Sequence, residues 1–489
     1  MRYFNLHYFI DPFGCVKNQV DAENMMACLD NAGWSPAENP ADADLIIVNS
    51  CGFIESAKRE SIDAVLGWRK TYPDKKILLA GCLAQRYAKD LAESLPEADG
   101  FFGVDDIDKI AEKASSVVGG TEDKKGVRDR GSGNREQGTD FCPPTVLVGN
   151  RLFSQTSTPI PDTRYLIPSA RPLLSTPGCA YVKISEGCDN RCSFCAIPLI
   201  RGPLRCRALP DIVQECRGLL ARGIKELCII GQDICSYRYR SGNSALPELL
   251  RAIAELPGNF RARLLYMHPD HFPEAVLDVM ESDGRFLPYF DIPFQHASRK
   301  ILSAMNRRGA AETYLALVEK IRSRLPAAVI RTTFLLGFPG ETDADFACLL
   351  DFQEKLRPDW LGCFTYSREE GTSAWAMKPR VAKKVAALRR REIEIRQVAI
   401  TEKSMDRFIG QNLDVLLEGK FTAIDEGVAD LWLGRLYCHA PEVDGAAVVT
   451  GAAVYGDGIY GDSAVHAGEL VPCTVIARRG FDLEVRIEA

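Results

Sequence analysis

Residues 181–195 read YVKISEGCDNRCSFC: a β-strand over Tyr181–Ser185 runs straight into Cys188, Cys192 and Cys195. Three thiolates within eight residues, on the loop that leaves a strand, can hold three corners of a [4Fe–4S] cube. The fourth iron has no protein ligand nearby in sequence, since the six histidines stand at 7, 268, 271, 296, 439 and 466. The amino and carboxylate groups of S-adenosylmethionine can chelate such an open iron. An electron passed through the cluster can then break the sulfonium bond and release a 5′-deoxyadenosyl radical; the cofactor carries the hard chemistry and the protein positions it. Zinc is the competing reading. A structural zinc site wants four ligands, often in paired CxxC spacing, and this triplet stands alone.

C-terminal to the triplet, βα alternation continues. Strands are expected at Glu226–Ile230, Arg263–Met267, Tyr289–Pro293, Val329–Leu336 and Trp360–Thr365, with helical patterns between them. A long helix follows over Val381–Lys403, with Val381, Val385, Leu388 and Ile395 as its apolar face and Arg389–Arg391 on a solvated face. Six βα units make a partial (β/α)6 barrel, because eight close the usual one. This places a barrel domain at 177–403, with its cysteines at a strand's C-terminal end, where such barrels carry chemistry. Residues 404–489 change to short strands and Gly-rich turns, near Asn412–Leu417, Leu431–Leu436, Ala447–Thr450, Leu470–Ile476 and Leu483–Ile487. That pattern reads as a small antiparallel β-barrel of OB-like size.

N-terminal to the triplet, residues 1–118 also alternate. Strands at Phe9–Phe13, Ala43–Asn49 and Lys76–Ala80 are interleaved with helices at Val20–Ala32, Glu55–Trp68 and Gln85–Leu95, which implies a parallel α/β sheet. Each strand closes on a cysteine: IDPFGC at Cys15, LIIVNSC at Cys51, ILLAGC at Cys82. Strand ends of a parallel sheet converge on one edge, so these thiols can hold a second cluster with an open iron. The competing reading is cysteines packed at buried sheet ends. No GxGxxG fingerprint argues for a dinucleotide here. Between the two sheets, residues 119–176 carry scattered glycines, mixed charges and then prolines, a flexible linker without a regular element.

Composition narrows the class. The 489 residues are 46% hydrophobic and 26% charged, which excludes wholesale disorder. No apolar run reaches the roughly 18 residues a membrane helix needs, and Met1–Cys15 lacks the pattern of a secretory leader. A cytoplasmic protein is expected. Seventeen cysteines in such a chain point to metal or redox chemistry rather than disulfides. From Ser404 to Ala489 there are 14 acidic and 6 basic residues against a net of −6 for the whole chain, so the end domain is acidic. It should repel tRNA and attract a basic protein.

The central triplet resembles the signature of the radical S-adenosylmethionine superfamily. FGCVKNQVDAE, NSCGFIESAKRESI and AGCLAQRY are similar to the amino-terminal domain of the methylthiotransferases. EGCDNRCSFCAIPLIRGPLRCR, DIPFQHAS, MNRRG and RTTFLLGFPGET are similar to their radical domain, and the end segment to their TRAM domain. The versions GCVKNQVDAE, DIPFQHAS and YCHAPEVDG resemble the type that methylthiolates the β-carbon of an aspartate in the small-subunit ribosomal protein S-twelve. The alternatives are the tRNA-adenosine-modifying (MiaB) type and a non-catalytic iron–sulfur regulator that binds ribosomes.

The resemblance implies two [4Fe–4S] clusters, an auxiliary one on Cys15, Cys51 and Cys82 and a radical one on Cys188, Cys192 and Cys195. It implies S-adenosylmethionine in two roles, methyl donor to a cluster-bound sulfur and radical source. Gly231, Gln232 and Gln295, at barrel strand ends, are the residues expected to meet that cofactor; the competing reading is polar loops that cap helices. The implied partners are a basic small-subunit ribosomal protein, free or in the subunit, and an electron-donor protein.

Overall fold

The computed structural model describes residues 6–119, 145–147, 171–239, 244–421, 431–450, 459–460 and 463–487. Of these, 6–119, 145–147, 171–174 and 196–202 form one compact unit, and the others a second. Among the described residues, no helix is long and apolar enough to cross a membrane.

The first unit is built on β1 (His7–Pro12), β2 (Ser35–Pro36), β3 (Leu45–Ser50), β4 (Lys76–Gly81), β5 (Gly100–Phe102) and β6 (Thr145–Leu147). They form an all-parallel sheet in the order β2-β1-β3-β4-β5-β6. The run LIIVNS in β3 is buried along its whole length because both faces are covered. Leu45 and Ile47 join Leu78, Ala80 and the helix Val16–Asn31 in one core. Ile46 and Val48 join Ile77, Leu79 and the helices Glu55–Thr71 and Cys82–Ser94 in the other.

Two sequence expectations are corrected in this unit. The 119–176 linker is not wholly irregular: Thr145–Leu147 adds a sixth strand beside Gly100–Phe102. Three residues are too few to show periodicity, and the open edge of β5 supplies the hydrogen-bonding ladder. Arg171 is also fixed, buried against Glu23 at 2.8 Å. The remainder of that linker expectation, including the Gly-rich 120–140, lies outside the described residues. The helices after β1 and β4 begin earlier than their apolar patterns, at Val16 and Cys82 instead of Val20 and Gln85.

The second unit opens with β7 (Cys179–Lys183), followed by a short antiparallel ribbon of β8 (Ser185–Glu186) and β9 (Arg205–Cys206). Then come β10 (Glu226–Ile230), β11 (Arg261–Leu264), β12 (Phe286–Asp291), β13 (Val329–Leu336) and β14 (Trp360–Thr365). With β7 they make a parallel six-stranded sheet in sequence order, the open (β/α)6 arrangement. The chain ends in β15 (Asn412–Phe421), β16 (Leu431–Arg435), β17 (Ala447–Val449), the small ribbon β18 (Ile459–Tyr460) with β19 (Ser463–Ala464), β20 (Leu470–Arg479) and β21 (Asp482–Ile487). Five of these, β15-β16-β17-β21-β20, close a barrel. Closure runs through one parallel pairing, β17 with β21; the other barrel pairings are antiparallel.

The long helix spans Lys383–Asp406 and turns a different face inward from the one its apolar pattern predicts. Leu388 and Ile395 are 59% and 62% exposed, whereas Ala386, Arg389, Ile393, Gln397, Ile400 and Thr401 are buried. The inward polar groups satisfy backbone that would otherwise be orphaned. Gln397 donates to the Pro358 carbonyl at 2.8 Å, and Thr401 to that of Asp359 at 2.8 Å. Arg389 is ion-paired with Glu341 at 2.6 Å, so it is no part of a solvated face.

The end barrel is anchored under the N-terminal ends of the parallel strands. Glu226, the first residue of β10, is fully buried between Arg261 (2.5 Å), Arg263 (3.0 Å) and Arg435 of β16 (2.8 Å). Arg331 pairs with the buried Asp444, which also accepts from the Tyr289 hydroxyl at 2.5 Å. Trp360 Nε1 donates to the Cys438 carbonyl at 2.7 Å, and Arg263 to that of Tyr437 at 2.8 Å. The YCHAPEVDG motif is thus a plug into the barrel floor.

Burial alone would raise the Glu226 carboxyl. The guanidiniums of Arg261, Arg263 and Arg435 more than reverse that and hold it well below the carboxylate range. A depressed folded-state value means its stabilisation is present above the unfolded pKa of about 4.3 and is lost as pH falls towards the folded value. Glu226→Gln leaves three buried guanidiniums without their counter-charge. It should destabilise the second unit by roughly 3–5 kcal/mol in urea unfolding at pH 7, with less of the loss remaining at low pH. An unchanged midpoint would contradict this account.

Candidate functional site

In the first unit, β1, β3 and β4 are neighbours, so the residues that follow them are brought together at one sheet edge. Cys15 is the N-cap residue of the helix Val16–Asn31, Cys51 follows the last residue of β3, and Cys82 opens the helix Cys82–Ser94. Cys15 is exposed, Cys51 half-buried and Cys82 buried. Two of the three therefore stand at helix N-termini, where unsatisfied N–H groups and the helix dipole favour a thiolate.

Glycines allow this approach. A Cβ on Gly52 would lie 2.7 Å from the Cys82 carbonyl oxygen, and one on Gly14 would lie 3.0 Å from the Cys51 Cβ. Gly81 has φ +93° and a Cβ there would meet the Ser50 carbonyl oxygen at 2.7 Å. Asn18 ties the edge: its Nδ2 donates to the carbonyls of Ser50 (2.8 Å) and Phe13 (3.2 Å), and its own carbonyl accepts from Asn49 at 2.7 Å. Burial pushes the Cys82 thiol up to about 12, although Arg201 pulls the other way; burial raises Cys51 as well. Unliganded, both are neutral thiols at pH 7, and a metal displaces their protons on binding.

In the second unit, Cys188, Cys192 and Cys195 lie half-buried on the loop after the β8 segment. The loop is pinned by its backbone. Ser193 N donates to the Met305 carbonyl at 3.0 Å, the Ser193 hydroxyl to that of Ala304 at 2.7 Å, and Ala374 N to that of Ser193 at 2.8 Å. Phe194 packs on a core of Ile301, Met305, Leu335, Phe338 and Ala374. Burial raises the Cys188 thiol to about 12.

Gly231 and Gln232 directly follow β10. A Cβ on Gly231 would meet the Ser185 hydroxyl at 2.7 Å. Gln232 Nε2 donates to Glu186 at 2.9 Å, and Glu186 is ion-paired with the buried Lys183 at 2.7 Å. Gln232 Oε1 is buried and has no hydrogen-bond partner among the described residues, an acceptor suited to an incoming amino group. Gln295 follows β12 with φ +70° and is locked by backbone bonds to Thr333 and Leu335, both 2.8 Å. All three residues sit at the strand-end rim that carries the cysteine loop.

Asp233 links that rim to the loop. It accepts from Asn190 Nδ2 at 2.7 Å, binds His271 Nε2 at 2.6 Å and caps the turn at Cys235. Burial opposes its charge, but His271 and its other partners hold the carboxyl down at about 2. His268 and His296 accept from Asp270 N and Ser298 N, so the histidines here are loop-fixing residues. Gly337–Glu341 is a tight turn closed by its own Glu341 carboxylate, 2.7 Å from Gly337 N. Cys179, Glu226 and Cys228 also gather, with ligand atoms within 4.8 Å, but the three guanidiniums on Glu226 make that place hostile to a cation.

Sequence reasoning missed Asn18, Glu186 and Arg201. Arg201 belongs to the first unit, where its Nη2 lies 3.1 Å from Cys82 Sγ. Nothing in spacing or periodicity marks it, because its partners are 119 and 183 residues away in sequence.

Comparison with known proteins defines the class first. Residues 7–103 match the uncharacterized protein family UPF0004, 182–352 the radical SAM superfamily and 409–487 the TRAM domain. The chain is therefore a radical SAM enzyme with an added domain on either side. The ribosomal protein uS12 methylthiotransferase RimO of Treponema denticola is 44% identical over 97% of this chain and 99% of its own. That of Thermotoga maritima is 38% identical over 92% and 95%, and that of Syntrophomonas wolfei 37% identical over 96% and 97%. The chain belongs to the RimO family of methylthiotransferases. Among solved structures, the radical S-adenosylmethionine methyltransferase TsrM of Kitasatospora setae shares the fold, with a TM-score of 0.52 and 16% identity over 76% of this chain and 74% of its own. As a family member and radical SAM protein, it uses a [4Fe–4S] cluster and S-adenosylmethionine.

The close approach at Gly52 yields a test. Gly52→Ala drives a methyl group into the backbone at Cys82, so if the N-terminal trio is a cluster site, anaerobically reconstituted protein should carry less iron than the wild type. Gly67→Ala, where an added Cβ meets nothing within 4 Å, should keep the wild-type iron content. Equal iron in both variants would show that the edge has more room than the geometry implies.

Proposed function

We propose that this protein inserts a methylthio group at the β-carbon of an aspartate in the small-subunit ribosomal protein uS12, the substrate its relatives are named for. The observation that carries the reading is the presence of two separate cysteine trios, each at the C-terminal edge of a parallel sheet. In this reading Cys15, Cys51 and Cys82 hold an auxiliary [4Fe–4S] cluster, and Cys188, Cys192 and Cys195 hold the radical cluster. Bound there, the clusters supply the electron that cleaves S-adenosylmethionine and the sulfur that leaves with a methyl group. Gly231 admits the cofactor close to the backbone, the orphaned Gln232 Oε1 accepts from its amino group, and the locked Gln295 borders it. Residues 1–118 serve as the sulfur-carrying domain, 177–403 as the radical domain and 404–489 as the TRAM domain.

In this reading the protein acts in the cytoplasm, with an electron-donor protein and a basic ribosomal protein as partners. The acidic end domain supports a protein target, although its charge is partly internal: Asp444 is buried against Arg331, and Glu418 is paired with Arg435. Among the acidic residues left to meet a partner, Asp414 and Glu442 are exposed, while Asp425, Glu426 and Asp430 lie outside the described residues.

Reduced, reconstituted protein should release 5′-deoxyadenosine and add the mass of a methylthio group to uS12. Cys192→Ala should abolish both. Cys51→Ala should retain cleavage of S-adenosylmethionine and lose the added mass. If the two variants behave alike, the division of labour between the trios is wrong; if tRNA and not uS12 gains the group, the substrate is.

A further inference from the structure

Arg201 is buried beside the N-terminal trio, its side chain 2% exposed. Its Nη2 is 2.8 Å from the Asp21 carboxylate, 3.1 Å from Cys82 Sγ, and donates to Asn18 Oδ1. Burying a guanidinium is costly unless it is paired, and Asp21 supplies that pairing. Asp21 does not explain why the cation also reaches the sulfur. Asn18 Oδ1 accepts from Cys82 Sγ as well, at 3.2 Å. A sulfur bound to iron has no hydrogen to give, so that contact cannot persist in a loaded site. The guanidinium contact can, because arginine stays charged and keeps its N–H groups. It even strengthens, since a charge-assisted bond to a thiolate exceeds one to a thiol.

We propose that Arg201 donates an N–H···S hydrogen bond to the Cys82 ligand of the auxiliary cluster and thereby raises that cluster's reduction potential. The inference rests on the reading of Cys82 as a ligand. Hydrogen bonds to cluster sulfurs and nearby positive charge stabilise the more reduced, more negative state, and are recognised levers on iron–sulfur potentials. Arg201 is a positioning and tuning residue; it touches a ligand and not the substrate. It also stands only six positions after Cys195, so the loop that ends the radical triplet continues into the residue that tunes the other site.

The test uses full-length protein in which Cys188, Cys192 and Cys195 are replaced by alanine, so that only the auxiliary cluster is loaded. Redox titration followed by electron paramagnetic resonance should give a lower midpoint for Arg201→Met than for the parent. Arg201→Lys, which restores the charge, should lie between them. A full iron content in Arg201→Met with an unmoved midpoint overturns the inference. Should that variant lose its iron, two readouts decide. Arg201→Lys must still show a lowered midpoint, and the unsubstituted protein labelled with ¹⁵N-arginine must show a guanidinium nitrogen coupled to the reduced cluster in electron–nuclear double resonance. Absence of either overturns it. Cys82→Ala in the same background separates the underlying reading: retained iron there would mean that Cys82 is no ligand.

Discussion

A parallel sheet releases the chain from every strand at the same edge, and both cysteine trios depend on that constraint. β1, β3 and β4 lie side by side, so Cys15, Cys51 and Cys82 become neighbours although more than thirty residues separate each from the next. In the second sheet the same rule puts the Cys188–Cys195 loop, Gln232 and Gln295 on one rim. Buried aliphatic runs such as LIIVNS fix strand register, and register fixes where each thiol leaves the sheet. A slip of one residue in β4 would turn Gly81, with its positive φ and no room for a Cβ, into a clash.

Electrostatics then adapts each edge to sulfur. Desolvation alone would leave neutral thiols, as it does for Cys82 and Cys188. At the first edge the Arg201 guanidinium opposes that effect of burial on Cys82 without reversing it. The second edge has a different design. There the carboxylate of Asp233 is held ionised by His271, and the Cys188 loop is tied to it through Asn190. One edge leans on cations, the other on backbone and a buried carboxylate.

Much of this was legible from residue patterns. β10, β13 and β14 match their expected spans residue for residue, each being a stretch rich in β-branched, aromatic or aliphatic residues closed by a polar or Gly-containing turn. The five strands of the end barrel were also readable, though not the parallel closure of β17 on β21, which no local pattern encodes. The cysteines could be singled out because chemistry restricts their spacing. Arg201 and Asn18 could not, since a buried arginine or asparagine looks like any surface one until its distant partners are known. The helix Lys383–Asp406 misled for the opposite reason. Its inward face mixes Ile393 and Ile400 with Arg389, Gln397 and Thr401, the last two satisfying the carbonyls at Pro358 and Asp359, so the apolar stripe of Leu388 and Ile395 pointed the wrong way. YCHAPEVDG resembled a mark of substrate type, yet its Cys438, His439 and Asp444 are buried in the barrel floor.

The clamp of Arg261, Arg263 and Arg435 on Glu226 has a mechanical outcome. It rivets the end domain to the opposite extremity of the β-strands from the cysteine loop, about five residues or ~16 Å of strand away. So anchored, the domain does not swing on a tether, and the described residues that join it to the barrel stand at the strand ends away from the cysteine loop. Whatever it grips must be long enough to extend from the underside of the barrel around to its mouth, a demand that a folded macromolecule meets and a free amino acid does not.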